Sequence, residues 1–108
     1  MILLVRAKLL RKNFDGMALW PFLILRHHGQ KRDAVFLNHE KIHLRQQAEL
    51  LLVFFYLWYG IEFFLRWFQY KNRHHAYRNI SFEREAYHHE SDFSYLKSRS
   101  IFGFLKFI

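Results

Sequence analysis

The sequence has no cysteine in its 108 residues. That excludes disulfides and thiolate metal sites, and leaves the redox compartment unmarked. Any metal must therefore be held by histidine and carboxylate. Acids are scarce as well, with nine Asp and Glu against 17 Lys and Arg, a formal charge of +8. There is no repeat, low-complexity run or linker, and the length fits one domain, 1–108, with a modest core. A clean signal peptide is not expected: "MILLVRAKLLRKNF" lacks a basic start before its apolar run, Arg6 interrupts that run, and no small-residue cleavage site follows. No nucleic-acid-binding module is legible, so nucleic acid is not the expected partner despite the charge.

The charge is unevenly spread. Residues 1–37 carry seven Lys/Arg against two acids, 70–108 carry seven against four, and 38–69 balance three against three. Basic ends around a neutral apolar middle suit an anionic partner, nucleic acid or a membrane surface. Aromatics make up 20% of the chain, which fits a dense core, base stacking or a lipid interface. The N-terminal segment reads as basic and amphipathic, either an ordinary surface element or one lying flat on anionic lipid.

The patterning predicts a mainly α, α+β chain. "GMALWPFLILR" (16–26) is apolar with Pro21 inside, hence an edge strand, hairpin or bent segment. "RHHGQKRD" (26–33) reads as a turn and "AVFL" (34–37) as a short buried piece. Asn38 is a favoured N-cap, so a helix is expected to start there. It runs into "AELLLVFFYLWYGIEFFLRWFQY" (48–70), where Gly60 is a candidate break and Glu62 and Arg66 can pair at i,i+4. A helix apolar on every side is buried, in lipid, or covered by another copy of the chain. "KNRHHAYRN" (71–79) reads as a connector. Ser81 is expected to cap a further helix, "FEREAYHHESDFSYLKS", with Phe82, Ala86, His89, Phe93 and Leu96 on one face. The apolar tail "IFGFLKFI" can dock as a strand or cover the core.

"NHEKIHLRQQ" (38–47) carries the chemistry. His39 and His43, at i,i+4, project from one helix face and can share one ion, for which zinc is the best match. Glu40 lies beside that face, where a general base can take a proton from metal-activated water. A zinc hydrolase needs a third protein ligand and an open position. The candidates are His74, His75, His88 and His89, or Glu62, Glu83, Glu85, Glu90 and Asp92. Glu83 and Glu85 flank the next helix's apolar stripe on opposite sides, so at most one reaches the metal; periodicity does not choose between them.

"NHEKIHLRQQ" followed by "NISFEREAY" resembles the HEXXH metallopeptidases called gluzincins, and most of all the membrane-linked group with the CAAX-processing and heat-shock membrane proteases and small uncharacterised bacterial relatives. The third ligand of that group is a glutamate in a Glu-x-x-Ala-Asp pattern. Glu83-Arg84-Glu85-Ala86 matches its first four positions, and Tyr87 stands where the aspartate would be. The resemblance thus implies Glu83 as third ligand and a minimal, helix-rich zincin-like core, with the strand of 17–25 lining a groove. It implies a membrane-associated zinc metallopeptidase, a hydrolase in which Glu40 is the base, acting on a peptide or protein substrate; Tyr87 is a candidate for stabilising the oxyanion. The rival reading is a non-catalytic zinc-stabilised module that binds membranes or a partner, the metal joining two helices.

Overall fold

Pro21 decides the first part of the fold. The computed structural model describes residues 2–6 and 16–108. In it the apolar run 16–26 takes the hairpin form of the expectation: two strands, β2 (Gly16–Leu19) and β3 (Phe22–Leu25), with Trp20 and Pro21 at the turn between them. Proline has no N–H for a ladder, and the turn is where none is needed. β3 pairs antiparallel with β2 and parallel with β1 (Ile2–Val5), giving the order β1-β3-β2. The central strand is apolar throughout, with Leu23, Ile24 and Leu25 buried, and among the described residues β2 is left as an edge. Most of the expected amphipathic N-terminal segment, Met1 and residues 7–15, lies outside the described residues.

The stretch read as a turn winds into a 3-10 helix, His28–Arg32. Helix α1 (Ala34–Glu49) then starts five residues earlier than the Asn38 cap predicts. Asp33 is the N-cap, accepting the Phe36 N–H at 3.0 Å. Asn38 lies inside α1 and stoppers the far end of another helix: its amide donates to the carbonyls of His89, Glu90 and Asp92 at 3.2, 2.9 and 3.0 Å. The chain breaks not at Gly60 but at Leu51, whose φ of 54° is left-handed. Gly60 sits within α2 (Leu51–Tyr70) with open space around it and does not interrupt it. Lys71, also left-handed, ends α2 and returns its N–H to the Trp67 carbonyl.

The expected connector contains a short helix, α3 (Arg73–Arg78), capped by Asn72. Helix α4 (Ser81–His89) follows, but Ser81 is its first residue and not its cap. The Ser81 hydroxyl and N–H both donate to the buried Glu62 carboxylate, which Arg66 also approaches at 3.8 Å, the expected i,i+4 pair. α4 stops at His89, shorter than the predicted 82–98 helix. Phe82 and Ala86 of the predicted stripe are buried, whereas Phe93 lies beyond the stop and is exposed. A short helix α5 (Tyr95–Ser98) and a 3-10 turn, Gly103–Phe107, complete the chain. The tail covers the core as a helical turn, not a strand: Phe104 packs with Phe55, Ile80 and Phe82. A second apolar cluster, Ala18, Leu23 and Leu44, joins the sheet to α1. The described residues are thus mainly helical with one small three-stranded sheet.

Candidate metal centre

What α1 buries is mostly polar: Asn38, His39, Glu40, His43, Gln46 and Gln47, against only Ile42 and Leu44. Burying polar groups is costly unless each is bonded. Among the described residues, no fully enclosed side-chain nitrogen or oxygen lacks a partner. Apart from Glu40, the polar face of α1 is therefore a built network.

Its centre is where α1 meets α4. His43 Nε2 lies 3.1 Å and His39 Nε2 3.4 Å from Glu83 Oε1. One donor atom from each residue falls within 4.8 Å of the others, and all three residues are buried. Two ligand atoms about 2.1 Å from an ion, at the tetrahedral angle, lie roughly 3.4 Å apart. The spacing of the three donors fits one small cation. This His39–His43–Glu83 group can bind a metal ion.

Each of the three side chains is held from behind. His39 Nδ1 donates to Glu90 Oε2 at 2.7 Å. His43 Nδ1 lies 2.8 Å from Gln46 Oε1. The Gln46 amide nitrogen is committed to the Phe82 carbonyl at 3.1 Å and Glu85 Oε1 at 2.8 Å, so its oxygen must face His43, and His43 Nδ1 carries the proton. The Tyr59 hydroxyl donates to Glu83 Oε2 at 2.8 Å. Such contacts orient ligands and fix tautomers, leaving both Nε2 atoms aimed at Glu83.

With acceptors at both nitrogens, His43 holds two protons when no cation is bound. Burial opposes the imidazolium, but Glu83 and, more weakly, Glu40 outweigh it and push the pKa up to about 9. For Glu83, burial disfavours ionisation and the two histidines overcome it, holding the carboxyl well below the usual carboxylate range. Burial pushes Glu40 above its ordinary value, against the pull of His43 and His39. Glu40 hydrogen-bonds no other described residue and lines a cleft of about 210 Å³ with Gly16, Ala18, Tyr59, Tyr77 and the ligands His43 and Glu83.

The other candidate ligands are engaged elsewhere. Glu85 is fully buried against Arg99, Tyr95 and Gln46, and Arg99 also holds Glu49 at 2.6 Å. A side chain at Gly103 would meet Glu85 Oε2 at 2.8 Å, so the tail's glycine permits the seal over this pair. Glu62 serves Ser81, Glu90 serves His39, and Asp92 accepts from Ser94. His74 and His75 are exposed on α3, His88 packs on His89 and Phe107, and His89 stacks on Tyr95. Tyr87 packs edge-on against the His39 ring and points its hydroxyl at that of Tyr77, 3.1 Å away; Tyr77, not Tyr87, lines the cleft.

Sequence reasoning missed the supporting residues. Gln46 and Gln47 had a signal, since they continue the face of His39 and His43 by one more turn. Glu90 stood only among possible ligands; it supplies a carboxylate behind a histidine, three positions beyond Tyr87. Gln47 ties the site to the sheet: its amide donates to the Ala18 carbonyl at 2.9 Å and accepts the Trp20 N–H at 2.7 Å. No family model matches the chain, and neither a curated protein nor a solved structure matches it.

Proposed function

We propose that this chain is a minimal zinc-dependent metallopeptidase of the gluzincin type, its α1, α4 and sheet edge forming a reduced zincin-like core. The observation that carries the reading is the convergence of His39, His43 and Glu83 at ligand spacing, beside a cleft in which Glu40 has no hydrogen-bond partner among the described residues. Two imidazoles and a carboxylate suit zinc. A bound zinc ion would polarise the scissile carbonyl and make water nucleophilic near neutral pH. Glu40 accepts the proton of the attacking water and delivers it to the leaving amine nitrogen. Its place directly after the first ligand puts it at the cleft without tying it to the ion. Tyr77 presents a phenol to the same cleft and donates to the carbonyl oxygen as it turns anionic. Tyr87, hydrogen-bonded to Tyr77, positions that phenol. The substrate backbone lies extended along the edge of β2, whose Gly16 and Ala18 form one wall.

The test compares wild type with Glu40→Gln on a mixed peptide library, with zinc content measured in parallel. Both proteins are expected to hold about one zinc per chain, and Glu40→Gln to lose at least roughly 10²-fold in hydrolysis. Cleavage that survives the substitution refutes the assignment of Glu40. A second reading has one observation in its favour: the three ligands join α1 to α4, as a structural metal would. In that case zinc removal unfolds the protein, and neither the wild type nor Glu40→Gln cleaves anything.

A further inference from the structure

Helix α2 has two faces of opposite fate. Phe55, Tyr59, Glu62 and Phe63 recur at three- and four-residue spacing and are buried or half-buried. The other face is bare. Val53, Phe54, Leu57, Ile61, Phe64, Leu65 and Phe68 are 57–88% exposed. Every exposed residue from Leu51 to Phe68 is apolar or aromatic, and none carries a charge. At 1.5 Å per residue this uncharged stretch is about 27 Å long. Trp58 packs edge-on against Phe104 at 5.1 Å, and the exposed Leu105 follows directly in the tail. Soluble monomers rarely expose apolar surface on this scale.

The end of the stripe says what covers it. Trp67 and Tyr70 close it, followed at once by Lys71 and Arg73, and the Arg73 guanidinium lies 5.9 Å from the Trp67 ring centroid. Amphipathic rings beside cations are the arrangement of a lipid headgroup layer. Glu62 does not oppose insertion, because its carboxylate faces inward to Ser81 and Arg66. A second copy would bring another chain of formal charge +8 against the first, whereas an anionic surface complements that charge.

We infer that α2 lies in the plane of an anionic bilayer, its outer stripe among the acyl chains and Lys71 and Arg73 at the phosphates. The inference is independent of the hydrolase reading. It commits to an in-plane helix, since the inner face of α2 is covered by its own domain and the helices on that side carry Arg45, Arg78 and Arg84.

The test uses the full chain carrying Trp20→Phe, so that Trp58 and Trp67 report. Vesicles of phosphatidylglycerol and phosphatidylcholine with brominated acyl chains should quench this fluorescence. Ile61→Lys with Phe64→Lys should lower vesicle partitioning at least tenfold, with helix content and zinc binding unchanged because both side chains are exposed. Lys71→Gln with Arg73→Gln should weaken binding to phosphatidylglycerol vesicles but not to pure phosphatidylcholine, and raised salt should mimic it. Protein that stays in the supernatant, unquenched, overturns the inference. So does a detergent-free dimer that Ile61→Lys with Phe64→Lys converts to monomer, which would assign the stripe to a second copy.

Discussion

Glu83 and Glu85 are two residues apart on one helix, both buried, and they face different partners, Glu83 the two histidines and Glu85 the Arg99 guanidinium. Glu83→Gln and Glu85→Gln keep size and remove one charge each, so comparing them isolates that difference. Glu85→Gln leaves the Arg99 guanidinium buried with Glu49 as its remaining carboxylate. Breaking a buried pair costs about 3–5 kcal/mol; with Glu49 still in place the lower end applies, about 3 kcal/mol. A chain of this length unfolds with an entropy on the order of 0.2 kcal/mol/K, so the melting temperature should fall by roughly 15 °C. Glu83→Gln instead strands a histidine, which can lose its proton where arginine cannot, so its metal-free melting temperature should fall less. Its zinc affinity should drop by more than the roughly 10–100-fold that follows loss of a supporting hydrogen bond. Circular-dichroism melts of the metal-free proteins and chelator competition at a temperature where both are folded supply the two readings. The reasoning is refuted if Glu85→Gln loses zinc with an unchanged melt while Glu83→Gln retains it.

Glu90→Gln should fold normally and weaken zinc by roughly 10–100-fold, measured against a competing chelator, because it weakens the carboxylate contact that orients His39. Zinc uptake near pH 7.5 should release about one proton, seen calorimetrically in buffers of different ionisation enthalpy. His43, pushed up to about 9, is protonated there without metal, so apparent affinity should rise with pH and level off above 9. The same shift means that this group's contribution to metal-free stability is complete below its unfolded value near 6.5 and is lost as pH rises through about 9; thermal melts across that window should show the decline. Gln47→Ala should destabilise by about 1–3 kcal/mol in denaturant titrations, since the Trp20 N–H loses its acceptor.

The motif was legible because its geometry is local: His39 and His43 need only a helix between them to share a face. Glu83, 40 residues on, came from a pattern and not from spacing, and structure was needed to see that Glu85 is occupied by Arg99. The supporting partners Glu90 and Tyr59 were invisible because nothing local marks contacts across 51 and 24 residues, whereas Gln46 stands on the face of His39 and His43. Two competent caps, Asp33 and Asn38, stand five residues apart. The one chosen lets Leu37 pack toward the sheet while Asn38 serves the carbonyls at the end of α4. The break at Leu51 has no sequence signal, since leucine is a helix former and its left-handed backbone is imposed by the turn from α1 into α2.

Gln47 sits one turn beyond His43 and treats the edge of β2 as a neighbouring strand would, giving a donor to Ala18 and an acceptor to Trp20. Along a strand, alternate residues turn their N–H and C=O to opposite sides. Sliding β2 by one residue would offer Gln47 groups that point toward β3. Only a shift of two residues, about 6.6 Å, restores both bonds, so the strand's position against the ligand helix is stepped and not continuous. The fixing point is the side chain, not the connection. The 3-10 turn at His28–Arg32 therefore has room to lengthen or shorten without changing where Gly16 and Ala18 stand relative to His43.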